Sequence, residues 1–152
     1  MASSQSIRTG IQVVLAIVII VLSYVLYESI TEPYERIERQ QEMTELTRQR
    51  MSQIRTGLIQ FNQRRDSFPD SLNTLVSFLR EDSVIMSNQD SIFGGTVNLD
   101  SLLYSPRTGK QFQYAVNDTG RVETYLLQDP DSDDQIGTMS GDVTQTHAAT
   151  WE

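Results

Sequence analysis

The stretch "QDPDSDDQIG", residues 128–137, holds the side chains best spaced for chemistry. Asp129, Asp131 and Asp133 fall at alternate positions and Asp134 follows directly. Alternating carboxylates on a turning loop converge on one hard cation, and calcium takes such oxygen ligands. The loop is not an EF-hand, because its sixth position is Asp134 rather than glycine and its twelfth is Ser140 rather than glutamate. Two readings therefore stand side by side: a calcium site built from Asp129, Asp131, Asp133 and Asp134, or a solvated acidic loop. Two further carboxylate pairs, Asp66 with Asp70 and Glu81 with Asp82, are of the residue type an acid–base couple uses. Nothing near them positions a substrate, so they read as helix caps. The chain has no cysteine and a single histidine, His147. Thiolate nucleophiles, disulfides, cysteine-based zinc and multi-histidine sites are thereby removed. The expectation is a protein without catalytic residues and without a small-molecule substrate.

The formal net charge is −8, from 12 basic and 20 acidic residues. From residue 66 onward the only bases are Arg80, Arg107, Lys110 and Arg121. A surface so acidic repels phosphate backbones, which argues against nucleic-acid binding.

The elements that must position the loop begin with an apolar run. From Ile11 to Tyr27 the only polar side chains are Gln12, Ser23 and the amphipathic Tyr24 and Tyr27. Seventeen helical residues span about 26 Å, and extension to Ile30 gives about 30 Å, enough for one membrane crossing. Arg8 precedes the run, whereas Glu28, Glu32 and Glu35 follow it before Arg36. Positive charge stays on the cytoplasmic side, so the amino terminus is expected inside and the rest outside. "SYVLYESI" offers no small-x-small cleavage site, so the segment is expected to stay attached.

Pro33 suits the first turn of a new helix or a kink in an old one. Beyond it, Tyr34, Ile37, Met43 and Leu46 form a thin apolar stripe among Glu35–Arg39 and Glu32–Arg36 pairs. Met51, Ile54, Leu58 and Phe61 form a stronger one. The first part reads as a solvated stem and the second as a helix docking on a head. A coiled coil would need four unbroken heptads, which are absent. After a turn at Phe68-Pro69, Asp70 or Ser71 caps a short helix with Leu72, Leu75, Val76 and Leu79 on its inner face. "DSVIMS" reads as a short strand and residues 87–100 as loop. In "KQFQYAVNDTGRVETYLLQ", Phe112, Tyr114 and Val116 alternate with Gln111, Gln113 and Ala115, the chain turns over residues 117–120, and Val122, Thr124 and Leu126 alternate on the return. A short antiparallel sheet covering one face of a long helix makes the fold class α+β.

Arg8, Gly10 and Ile11 onward, Pro33, "IRTGLIQFNQRRDSFPDSLNTL" and "SPRTGKQFQY" followed by "VETYLL" occur in an order that resembles the type IV pilin and pseudopilin superfamily. The likeness is strongest to the major pseudopilin of type II secretion systems. It covers nearly the whole chain and implies a structural subunit of a bacterial envelope secretion or pilus-type machine. Its partners would be the membrane, crossed once, other subunits and further copies of itself, with the head in the periplasm. The resemblance also implies a calcium site after this hairpin, with Asp129, Asp131, Asp133 or Asp134 as ligands and carbonyls near Leu127 completing the shell. In the family a peptidase cuts after the glycine, here between Gly10 and Ile11, and a glutamate at the fifth mature position answers the new amine. That position is Leu15 here. An unanswered amine is costly inside a bilayer, so the expectation is an uncut chain, with an accessory subunit of another envelope complex as the alternative. The expected divisions are a cytoplasmic segment 1–10, a transmembrane helix 11–30, a stem 31–48, a head 49–137 and a polar tail 138–152.

Overall fold

The computed structural model describes residues 3–152, with side chains for 8–29 and 34–152. In chain order the elements are α1 (Ser3–Arg65), α2 (Leu72–Glu81), α3 (Ser83–Ser87), α4 (Gln89–Phe93), β1 (Gln113–Asn117), β2 (Thr124–Gln128), β3 (Gln135–Gly137) and a 3-10 turn (Val143–Gln145). This is the expected α+β class. The residues fall into two compact units, Met1–Glu42 and Met43–Glu152.

The first unit is the opening part of α1. Its large apolar side chains from Ile11 to Tyr27 are all at least 45% exposed, on every side of the helix. A helix apolar all round suits nonpolar surroundings. Among the described residues this is the one helix long and apolar enough to cross a membrane. The Glu35–Arg39 pair forms across one turn at 3.8 Å on an exposed face, where such pairs contribute little. α1 runs on through positions 32 and 33, and the side chains of Glu32 and Pro33, read as a pairing residue and as a helix start or kink, lie outside those described.

The second unit is built on the later part of α1. Met51, Ile54 and Leu58 are fully buried and Phe61 nearly so. Gly57 lets α2 approach closely: a Cβ there would stand 3.2 Å from Leu79 Cδ1. Ser71 caps α2 by accepting a hydrogen bond from the Thr74 backbone N–H. Leu72, Leu75 and Leu79 are buried, and Val76 packs at the edge of the same core. Phe61 and Phe78 meet edge to face, with centroids 4.9 Å apart.

Residues 83–87 form α3 rather than a strand. Asp82 accepts from the Val84 and Ile85 N–H groups and also pairs with Arg64, so a cap decides against the strand preference of Val84 and Ile85. The following segment is not all loop either: it contains α4, which ends at Gly94 in a left-handed conformation.

The sheet order is β1-β2-β3, both pairs antiparallel. Tyr114 faces Leu127 and Val116 faces Tyr125. On the return strand the inner residues are therefore Tyr125 and Leu127, both fully buried, while Val122 is exposed. Thr124 is buried as well, but the expected Val122–Thr124–Leu126 face is one residue out of phase. A slip of one residue exchanges the faces of a strand.

The chain after β3 is not a free tail. Gly137 N–H donates to Ala148 C=O, Thr150 N–H donates to Gln135 C=O, and Ala149 is buried opposite Ile136. Trp151 packs against the core. The head therefore runs from Met43 through Glu152 instead of 49–137. Side chains on the stem end of α1 already belong to it, since Arg107 donates to the Thr44 hydroxyl and Thr47 is fully buried.

Candidate functional site

The acidic loop joins β2 to β3. It closes on itself through Asp129 N–H to Asp134 C=O, 3.0 Å. Ser132 Oγ donates to Asp129 Oδ2 at 2.7 Å and accepts from Asp134 N–H at 3.3 Å. Asp129 is 1% exposed and its Oδ1 has no partner.

Three of the four carboxylates point to different partners. Asp134 takes a two-pronged contact from Arg48 of α1, Nε to Oδ2 at 3.1 Å and Nη2 to Oδ1 at 2.9 Å. Such fork-to-fork pairs are the stronger ion pairs, and the contact raises the Arg48 pKa. Asp131 Oδ1 accepts from Lys110 Nζ at 2.5 Å, and Oδ2 accepts from the Thr108 hydroxyl. Those two bonds hold the Asp131 carboxyl below the usual range. Asp133 is exposed. Among the described residues no three His, Cys, Asp or Glu side chains gather where a metal could sit. As placed, the donors do not fit a calcium ion: six to eight oxygens are needed, and the carboxylate oxygens of Asp131 and Asp134 are already engaged.

The residues not foreseen here are the basic ones. Arg48 lies over the Trp151 ring, 5.3 Å from its centroid. Arg55, two turns further on, makes a two-pronged pair with Glu152 at 2.8 and 2.6 Å and donates to His147 C=O at 3.1 Å. Arg48, Met51, Arg55 and Leu58 share the helical spacing of one face. Bases interleaved with a buried stripe, in a chain whose acids lie mostly later, are the signal that could have found them.

On another side of the head, Asn62, Asp66, Phe68, Arg121, Val122, Glu123 and His147 line a cavity of about 450 Å³. Two of these residues reach the buried Tyr125: Phe68 meets it at 4.9 Å, and His147 Nδ1 is 3.1 Å from its hydroxyl. Burial, then the nearby Arg55, lowers the His147 pKa below 6.5. Burial raises the pKa of Tyr125 and Tyr114. The residues considered as acid–base pairs act at chain turns. Asp70 accepts from the Thr74 hydroxyl, Asp82 caps α3, and Asp66 closes α1 with φ 57° and its N–H on Asn62 C=O.

Gly10 and Ile11 lie within α1, with Ile11 61% exposed and open space around the Gly10 α-carbon. Leu15 is also exposed, one turn further along the same helix. Compared with known proteins, the chain matches no protein-family model, no curated protein and no solved structure.

Proposed function

We propose that the protein is a membrane-anchored, pseudopilin-like structural subunit of a bacterial envelope secretion or pilus-type machine. The observation that carries this reading is the division of labour along α1. One part exposes apolar side chains on all sides, and another buries a single stripe within a small α+β head. An anchor joined to a head suits a scaffold, and the family resemblance supplies the kind of machine. In this reading the amino terminus is cytoplasmic, the head is periplasmic, and the work is done by contacts with other subunits. Leu15 favours a second reading, in which the chain is uncut and serves as a single-pass accessory subunit of another envelope complex. Without a carboxylate at that position, a new amine at Ile11 finds no counter-charge on a neighbouring copy within the bilayer.

Intact mass measured on protein purified from membranes separates the two. Retention of residues 1–10 supports the accessory reading, and a mature chain starting at Ile11 supports the filament subunit. Protease added to spheroplasts tests both at once, with digestion of residues beyond 43 expected. Full protection of the head would overturn the orientation on which both depend.

A further inference from the structure

We infer that the acidic loop is neutralised by the chain's own cations, Arg48 and Lys110, and keeps its folded form without a divalent metal. The Asp134 side chain is 11% exposed, and a carboxylate so far from water is costly unless an opposite charge meets it. Arg48 meets both of its oxygens, at 2.9 and 3.1 Å. Asp131 is held by an ammonium and a hydroxyl. Asp129 gives one oxygen to Ser132. Left over are the buried Asp129 Oδ1 and the exposed Asp133 carboxylate, fewer oxygens than the six to eight of a calcium shell.

A calcium ion among these groups would have to expel both cations. Leaving Arg48 in place would set a dication beside a guanidinium, with strong repulsion at such separations. Moving it would also forfeit its contact with the Trp151 ring. The spacing that resembles a metal loop therefore serves a different purpose. It collects carboxylates that fasten the β2–β3 connection to α1 through Arg48, and to the segment before β1 through Lys110.

The test uses the full chain in detergent micelles, melted with millimolar calcium, millimolar magnesium or chelator. The three melts should coincide. Terbium, which replaces calcium and emits when excited through a nearby tryptophan, should give no saturable signal from Trp151. Arg48→Met should lower the melting temperature by roughly 10 °C or more under all three conditions, because it strands a buried carboxylate. Arg48→Met with Asp134→Leu should recover most of that loss. A calcium-dependent rise in the unaltered chain, or terbium emission that calcium displaces, overturns the inference. So does an Arg48→Met chain that melts unchanged. The calcium and terbium measurements need no variant, so an Arg48→Met chain that fails to fold leaves the inference open to refutation.

Discussion

Two stretches of α1 both carry large apolar residues, and those residues meet opposite fates. Between Ile11 and Tyr27 those side chains are 45–71% exposed, whereas Met51, Ile54, Leu58 and Phe61 are 0–8% exposed. Both the amount of apolar surface and its arrangement distinguish them. The first stretch is apolar around its whole circumference and has no wet face to turn outward. The second keeps its apolar groups on one face, leaving Arg48 and Arg55 beside them to hold parts of the head. One helix is thus written for two surroundings, and the boundary falls near Met43.

The largest effect should come from matched truncations in the two stretches. Leu58→Ala removes a fully buried side chain and should destabilise the head by about 2–5 kcal/mol. Leu22→Ala should leave the head melt unchanged. Equal losses in a denaturation experiment would break the comparison. A matched glycine pair should give the next effect. At Gly137, with φ 89°, a Cβ would lie 2.1 Å from Tyr125 C=O, so Gly137→Ala should cost on the order of 2 kcal/mol. Gly10→Ala meets nothing within 4 Å, and an unaffected head is expected.

The smallest effect is confined to the head and depends on pH. The folded pKa of His147 lies below 6.5, so the unfolded chain binds its proton first. That contribution is fully present above pH 6.5 and is lost as pH falls through the folded value. Glu152, held low by Arg55, acts in the same sense: its contribution is present above its ordinary value of 4.5 and is lost only below it. Melts across pH 5 to 8 should show a decline that His147→Gln removes. The variant should cost about 1 kcal/mol at high pH through the lost Tyr125 bond, and an unchanged pH profile would refute the assignment.

Much of this division was legible in the sequence because it is written in local periods. The Met51–Phe61 stripe and the Leu72–Leu79 face follow helical spacing, and Phe112–Val116 follows strand spacing. What escaped was set by partners distant in sequence. The phase of β2 depends on its register with Tyr114 and Val116, which the connection over residues 118–123 sets and no local pattern records. Val84 and Ile85 suggested a strand because they are β-branched, yet Asp82 and Arg64 draw that segment into a helix. The residues after 138 looked like a tail because they are polar, and their apolar anchors, Ala149 and Trp151, are few. At the acidic loop the carboxylates were visible as a group, but their partners on α1 lie as far as 86 positions away.

The grip of α1 on the end of the chain also has a consequence in time. Arg48 and Arg55 emerge from the ribosome early, while Asp134, Trp151 and Glu152, the last of them 97 positions after Arg55, emerge late. Chains are made at about 5–20 residues per second, so these two arginines of α1 wait several seconds for their partners. During that interval Arg48 and Arg55 stand without the carboxylates that meet them in the folded head. A holding chaperone, or a neighbouring chain at the same stage of synthesis, would find these cations open only before residues 134–152 have closed over them.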